Sequence, residues 1–258
     1  MRPAAALAAC ALVAACASGG APLPQAAPPG YLDTAAVEST TEGVAAPPPS
    51  PTVWPGDLPG RGPGTDRWWL ATAHAEIRPP EAAQHFDCVL GTRLAAAPRP
   101  ALTRLMTRLL VDSAAASARL ADIHPRLRPI AVDPELQPCQ RIDAATRETP
   151  SWPATGAVVG AAYGELFAGL APDRASRARA LGSEIGHSRA ICRMNWPQDV
   201  EAGFSAGRRV YAAAYETPAF QADLAAARAE IAAARAEGLT NPSCAAERRA
   251  LGLTPDAG

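Results

Sequence analysis

The sequence predicts an all-α fold, a helical bundle, on three observations. Helix-compatible segments follow one another from Asp66 onward, and no stretch alternates β-branched with polar residues as a half-buried strand does. Two apolar stripes at helical spacing begin behind prolines, Pro100 and Pro218, which suit the first turn of a helix. Their apolar members are Leu102, Leu105, Met106, Leu109 and Leu110 in the first stripe, and Phe220, Leu224 and Ile231 in the second.

Composition places the chain among ordinary globular proteins. Of 258 residues, 48% are hydrophobic and 19% charged, which is enough for one domain with a core. The formal net charge is -1 and the basic residues are spread along the chain, so no nucleic-acid footprint is present. All 24 basic residues are arginine, the side chain that grips phosphate through a planar fork.

The N-terminus has the pattern of an export signal at residues 1–16. Arg2 precedes an apolar run at 4–15 that is too short to span a membrane. The sequence Val13-Ala14-Ala15-Cys16 resembles a lipobox, in which Cys16 is lipidated and becomes the first mature residue. We therefore expect a periplasmic, outer-membrane-anchored lipoprotein whose only membrane contact is the lipid. The alternative is simple cleavage nearby, which gives a soluble periplasmic or secreted protein.

The remaining chain divides by composition. Residues 17–64 are rich in Pro, Ala and Gly without a sustained apolar period, and they indicate a tether or a surface-wrapping arm. Residues 65–251 form the predicted helical domain, and residues 252–258 a short tail.

Four cysteines remain outside the signal: Cys88, Cys139, Cys192 and Cys244. An even count in an exported protein predicts two disulfides, and three connectivities are open. Because no Cys-x-x-Cys pair occurs, we expect no metal site, and no motif calls for a cofactor.

Three more helices are expected in the second half, at 155–170, 174–187 and 199–215. Glycines recur at every fourth position as Gly156, Gly160 and Gly164, a pattern that favours close helix packing in the core. Loops are left at 127–138, 149–153 and 192–198. A functional site built on a helical scaffold is expected on such loops.

Three short segments from these loops and their flanks carry a family resemblance. They are Arg126-Leu127-Arg128-Pro129; Ser151-Trp152-Pro153-Ala154-Thr155-Gly156; and Gly186-His187-Ser188-Arg189 with Asn195-Trp196-Pro197-Gln198-Asp199. In order and spacing they resemble the signature of the class A bacterial non-specific acid phosphatases, which belong to the type 2 phosphatidic acid phosphatase and vanadium haloperoxidase superfamily. That signature is Lys, six residues, Arg-Pro; Pro-Ser-Gly-His; and Ser-Arg, five residues, His, three residues, Asp. The resemblance covers about residues 30–251.

The resemblance implies hydrolysis of phosphomonoesters through a phosphohistidine. In the family, three basic residues bind the phosphoryl oxygens, one His attacks phosphorus, a second His protonates the leaving alcohol and an Asp orients the nucleophile. A neutral imidazole suits both His roles near physiological pH, and fixed cations stabilise the charge on the phosphoryl oxygens.

This chain matches the signature only in part. Arg128 and Arg189 match the two family arginines and imply phosphate binding, and Asp199 matches the orienting Asp. Five other positions of the signature are changed: Ala121 stands for the Lys; Ala154, Thr155 and Gly156 for Ser-Gly-His; and Asn195 for the attacking His. A carboxamide nitrogen is not nucleophilic, and loss of a general acid costs ~10²- to 10⁴-fold in rate. We therefore expect a non-catalytic or severely impaired homologue that binds phosphate or a phosphomonoester.

Two further functions are open at this stage. One is an active phosphatase with a rearranged site using His124 or His187; the other is a structural envelope protein. His74 and His85 match no catalytic position. Oligomeric state is also open, and homo-oligomers occur in the family.

The retained residues have alternative structural roles. Arg128 and Arg189 can persist as ion-pair partners of Asp199 or Glu184, rather than as phosphate ligands. Asp199 can pair with either arginine or cap the helix that begins near it. Thr155 can add a donor at a helix start.

Overall fold

A computed structural model describes residues 28–49, 56 and 60–253. Within these ranges all regular structure is helical and no strand occurs, so the predicted all-α class is confirmed. The α-helices are α1 Thr34–Thr41, α2 Asp66–Ala73, α3 Asp87–Leu90, α4 Pro100–Ile123, α5 Pro129–Val132, α6 Ala144–Glu148, α7 Thr155–Leu170, α8 Ala175–Ile191, α9 Pro197–Tyr215, α10 Pro218–Ala236 and α11 Cys244–Ala250. Short 3₁₀ turns cover Glu81–Phe86, Leu94–Ala96 and Pro172–Arg174.

The long helices lie where the apolar periodicity predicts them. Helix α4 begins with Pro100 and α10 with Pro218, and both bury their apolar stripes. Helix α7 has the predicted bounds, whereas α8 continues to Ile191 and α9 begins at Pro197, so the intervening loop is shorter than expected.

Helix α7 is the centre of the bundle. It packs against α8, α9 and α4, and its residues are buried almost all round. Its apolar neighbours include Phe86, whose ring stacks on Phe167 with centroids 4.0 Å apart. A helix that is apolar on every side is stable only inside such a shell.

The small residues of α7 permit the close approach of α8. A Cβ on Gly160 would lie 2.5 Å from the carbonyl oxygen of Gly182, and one on Gly164 would lie 3.2 Å from that of Ala178. The predicted packing role is thus confirmed for Gly160 and Gly164. Gly156 differs, because its neighbour is the side chain of Arg189 and not a helix backbone.

The segment before the domain contains a helix that the sequence pattern does not predict. Asp33 is the N-cap residue of helix α1, and its carboxylate accepts from the amide of Ala36. The helix packs on α4 and α9 and buries Val37. Just before it, the amide of Tyr31 donates to Asp112 at 2.9 Å and its hydroxyl donates to Asp223 at 2.8 Å. These contacts hold residues 30–41 against the bundle.

Two disulfides join the four predicted cysteines. Cys88 in α3 pairs with Cys244 in α11, and Cys139 pairs with Cys192 at the end of α8. Among the described helices, none is both long and apolar enough to cross a bilayer. The predicted lipidation site, Cys16, and the signal at residues 1–16 lie outside the described residues.

Candidate anion-binding site

The three sequence segments converge at one end of the bundle. The amide of Ser151 donates to the carbonyl of Arg126 at 2.7 Å, and the amide of Ala154 donates to the carbonyl of Asp199 at 2.9 Å. These bonds connect the turn before α5 and the first turn of α9 to the segment that leads into α7. The loops that are far apart in sequence are therefore fixed to one another by backbone hydrogen bonds.

Asp199 is the buried anchor of this junction. It accepts from Arg126 Nη1 at 2.6 Å, from Ser151 Oγ at 2.5 Å and from the amide of Trp196 at 3.2 Å. Three donors on two oxygens suit a carboxylate rather than a carboxylic acid. Burial raises the pKa of Asp199 above its ordinary value, while the Ser151 and Arg126 bonds oppose that shift.

The position of Asp199 corrects one expectation and supports another. Neither Arg128 nor Arg189 is its ion-pair partner, because Arg126 holds that place. Asp199 does cap α9, since its side chain accepts from the amide at the helix start. The other candidate partner, Glu184, is hydrogen-bonded to Arg67 at 2.8 Å and lies beside His187.

Arg128 is held by neutral groups. Its Nη1 donates to the carbonyl of Met194 at 2.7 Å, and its Nε and Nη2 both donate to Thr149 Oγ1, at 3.0 and 2.9 Å. Burial lowers its pKa to about 10. Two of its five N–H groups are left for a ligand.

Arg189 lies at the inner side of the site, in the last turn of α8. Within the described residues its guanidinium forms no hydrogen bond or ion pair. Burial, together with the positive charge of nearby Arg128, lowers its pKa to about 10. Two guanidinium groups thus lie close together, and no carboxylate from the described part of the chain is bonded to either, which is unfavourable unless an anion joins them.

The start of α7 forms another wall of the site. A Cβ on Gly156 would lie 2.6 Å from Cδ and 2.8 Å from Cγ of Arg189, so the arginine side chain passes directly over this residue. Ala154, at the N-cap, offers no side-chain acceptor to the first amides of the helix. The N-terminal end of a helix carries partial positive charge and attracts anions.

The residues at the changed signature positions have mostly internal partners. Asn195 is buried and its Nδ2 donates to the carbonyl of Ser151 at 2.5 Å. The hydroxyl of Thr155 is within 2.6 Å of Ser117 Oγ, and Ala154 is fully buried. Ala121 is partly buried in the last turns of α4.

The histidines have hydrogen bonds, ion pairs and ring contacts with groups other than the two site arginines. The ring of His124 meets Trp152 edge-on at 5.2 Å, and that of His187 meets Phe204 at 5.2 Å, with Glu184 and Glu201 nearby.

The rings of the other two histidines, His74 and His85, lie 5.1 Å apart. His74 Nδ1 is 2.9 Å from Ser188 Oγ, and His85 Nε2 is 2.8 Å from the carbonyl of Glu76. Burial lowers the pKa of both, that of His74 well below its ordinary value. Among the described residues, we find no imidazole bonded to Arg128 or Arg189.

The sequence alone assigns no role to three polar residues at this end of the bundle. Two of them, Arg126 and Ser151, lie inside the quoted segments. The available signal for Arg126 was its position two residues before the matched Arg128. Ser117 carried no signal, because it lies on α4 among many small residues.

Comparison with known proteins agrees with the resemblance. No protein-family profile matches the chain. It is 29% identical over 166 residues to an acid phosphatase of Zymomonas mobilis, covering 64% of this chain and 62% of that protein. It is 29% identical over 167 residues to a non-specific acid phosphatase of Salmonella typhimurium, and 25% identical over 166 residues to one of Providencia stuartii, in each case covering 64% of this chain and 66% of the relative.

The chain therefore spans slightly less than two thirds of the length of these relatives. The similarity is that of a distant homologue of bacterial non-specific acid phosphatases. The all-helical architecture is consistent with that relationship.

Proposed function

We propose that this distant homologue of the non-specific acid phosphatases is a phosphate- or phosphoester-binding protein that does not turn its ligand over, or does so very slowly. The observation that carries the proposal is the pair Arg128 and Arg189: Arg189 lies against Gly156 at the start of α7, and no carboxylate of the described residues is bonded to either side chain. In a structural ion pair, a carboxylate would occupy the N–H donors of such arginines. An anion-binding site keeps them available.

Catalytic inertness follows from the groups around that pair. Attack on phosphorus needs a lone pair that is free and directed at it, and the Asn195 amide has its lone pair delocalised into the carbonyl. Gly156 has no side chain that can protonate a leaving alcohol. Loss of catalytic groups that act as a unit costs on the order of 10⁶-fold in rate. Two arginines that only position the phosphoryl group and stabilise its charge cannot replace the missing nucleophile and general acid.

The activity arm of the test uses the purified mature chain and 4-nitrophenyl phosphate. We expect no hydrolysis above that of buffer, and no phosphorylated histidine after acid quenching. Turnover that disappears in an Arg189→Ala variant would refute the inert assignment and establish a rearranged phosphatase.

The binding arm uses calorimetric titration of inorganic phosphate and vanadate into the wild type and into the variant carrying Arg128→Ala and Arg189→Ala. We expect the wild type to bind both anions and the double variant to lose at least tenfold in affinity, about 1.4 kcal/mol. A wild type that binds neither anion would leave only a structural role for this domain.

Export is supported by the two disulfides, which persist in oxidising compartments, and by the homology to acid phosphatases. We further propose that Cys16 carries a lipid, on the strength of the Val13-Ala14-Ala15-Cys16 motif. Expression of the full chain and of a Cys16→Ala variant, followed by membrane fractionation and mass measurement of the N-terminal peptide, tests this. An unmodified wild-type Cys16, or a mature chain beginning after it, would remove the lipid anchor.

A further inference from the structure

The two disulfides lie in different surroundings. Cys88 of α3 is joined to Cys244, the first residue of α11, and α11 packs on α2 and α3. These elements contain no residue of the candidate anion site. The other disulfide joins Cys139, in the loop 133–143 between α5 and α6, to Cys192, the residue that follows the last turn of α8. This second disulfide is close in sequence to both groups that hold Arg128.

The two acceptors of Arg128 lie on the two stretches of chain that the second disulfide joins. The carbonyl of Met194 is two residues beyond Cys192 and accepts from Arg128 Nη1 at 2.7 Å. Thr149 ends helix α6, which follows the loop of Cys139, and its Oγ1 accepts from Nε and Nη2. The disulfide therefore links the stretches that fix the plane of the guanidinium group.

The turn after α8 depends on this attachment. Arg193 has φ 57°, in the left-handed region where a helix usually ends on glycine. A larger residue keeps that conformation only where its surroundings impose it. The disulfide of the preceding Cys192 and a bond of 2.8 Å from Arg193 Nη1 to the carbonyl of Gln137 both attach this turn to the loop 133–143. The position of the next carbonyl, that of Met194, follows from the same attachment.

Thiol–disulfide exchange can open this bond without leaving a buried polar group unpaired. Cys139 is partly exposed and Cys192 is fully buried, so the thiolate of a dithiol reductant attacks the Cys139 sulfur. The S–S bond breaks and Cys192 leaves, to be protonated to a thiol. The second thiol of the reductant then displaces Cys139 and closes the reductant's own disulfide, so two electrons pass to the protein. The Cys192 sulfur lies 3.5 Å from the carbonyl oxygen of Ala71, which can accept from the new thiol.

We propose that the Cys139–Cys192 disulfide is a redox-sensitive switch of the anion site. Its reduction by a dithiol, small or protein-borne, releases the loop 133–143 and the turn after α8, so that Arg128 loses its fixed orientation and phosphate binds more weakly. The Cys88–Cys244 disulfide acts on stability alone. This proposal rests on the anion-binding function proposed above for Arg128 and Arg189.

The test uses two variants of the full mature chain, each with one disulfide left. Cys88→Ser with Cys244→Ser keeps the proposed switch, and Cys139→Ser with Cys192→Ser keeps the control disulfide. Inorganic phosphate is titrated calorimetrically before reduction with dithiothreitol, after it, and after reoxidation, and circular dichroism confirms the helix content each time. We expect the first variant to lose about tenfold in affinity on reduction, the effect of about one hydrogen bond to a charged group, and to regain it on reoxidation. The second variant should bind weakly throughout and not respond to the reductant.

The outcomes separate this inference from the function on which it rests. Equal phosphate affinity of the oxidised and reduced first variant, with its helices intact, would overturn the switch and leave the anion site in place. Oxidised wild type that does not bind phosphate would overturn the site itself.

If either double variant does not fold, the wild type gives the same comparison during stepwise reduction. Alkylation of the new thiols and peptide mass measurement then show which disulfide has opened. Affinity that falls with the opening of Cys139–Cys192 supports the switch. Affinity that is unchanged at that step, or that falls only when Cys88–Cys244 opens, contradicts it.

Discussion

Arginine has two opposite roles at one end of this bundle. Arg126 is buried against Asp199 with a 2.6 Å ion pair, in a junction that also includes Ser151. Arg128, two residues later in the chain, and Arg189 are also largely removed from water, yet neither is bonded to a carboxylate among the described residues. Burial of a charge costs free energy unless it is paired, so the first arrangement serves stability, whereas the second is the arrangement expected of the proposed anion site.

The largest expected effect comes from breaking the paired region. Asp199→Asn keeps the shape but leaves Arg126 as a buried charge without a counter-ion, and we expect it to lower the free energy of unfolding by about 3–5 kcal/mol. Urea denaturation of the purified protein measures this.

The matched change in the other region is Arg189→Met, which keeps the packing of the side-chain stem and removes the charge. Because it relieves repulsion with Arg128, we expect no loss of stability, and a gain of up to about 1 kcal/mol. Equal losses in Asp199→Asn and Arg189→Met would erase the distinction between the two regions.

A second effect concerns the paired network under α8. His74 is fully buried beside Ser188, and burial keeps its pKa well below 6.5, with the charges of His85 and Arg67 acting in the same direction. Below pH 6.5 the histidine of the unfolded chain binds a proton, whereas buried His74 of the folded protein stays neutral. The free energy of unfolding is therefore highest above the pKa of the unfolded histidine and falls as the pH drops below that pKa. Between about pH 7.5 and pH 5 we expect this histidine alone to cost about 2 kcal/mol.

Urea denaturation of the wild type and of His74→Asn at both pH values checks the contribution. The variant should show a smaller loss of stability on acidification than the wild type. Parallel losses in the two proteins would mean that His74 does not drive the pH dependence.

A third effect separates two glycines on α7. Gly156→Ala places a methyl group 2.6 Å from Cδ of Arg189 and must displace that side chain, so we expect phosphate affinity to fall about tenfold, or about 1.4 kcal/mol. The control is Gly160→Ala, which meets the backbone of α8 at Gly182 and should lower stability by about 1–3 kcal/mol through overpacking. Phosphate affinity unchanged in Gly156→Ala would show that the position of Arg189 does not depend on Gly156.

The smallest expected effect comes from replacing the planar guanidinium group of Arg128. Arg128→Lys keeps the charge but cannot bond Met194 and Thr149 while still reaching a ligand, since its ammonium is a compact group at the end of a flexible stem. We expect a fall of several-fold in phosphate affinity, about 1 kcal/mol, in calorimetric titration. Affinity equal to that of the wild type would mean that charge alone matters at this position.

The helices could be predicted from the sequence because long apolar stripes and helix-starting prolines are local signals. Helix α1 could not, because its eight residues bury a single large apolar side chain, Val37. The disulfides were predicted in number only, since pairing depends on which helix ends meet.

The residues of the candidate site could be predicted from the sequence, but the hydrogen-bond and ion-pair partners of these residues could not. Signature spacing places Arg128, Arg189 and Asp199 together, but it contains no information on Arg126, which lies outside the signature positions and forms the ion pair with Asp199. Similarly, Gly156 shares the four-residue period of Gly160, although one faces an arginine side chain and the other a helix backbone. Such choices are made by tertiary packing, which the local pattern does not contain.

The most direct test is thermal unfolding of the wild type and of Arg189→Met, each with and without inorganic phosphate. If Arg128 and Arg189 bind an anion rather than stabilise the fold, the variant is at least as stable as the wild type in phosphate-free buffer. Phosphate then stabilises the wild type by about 2.7 kcal/mol at one hundred times its dissociation constant, and stabilises the variant by clearly less. A wild type that phosphate does not stabilise, together with a variant that is less stable without it, would show that Arg189 is a structural residue and would contradict the account.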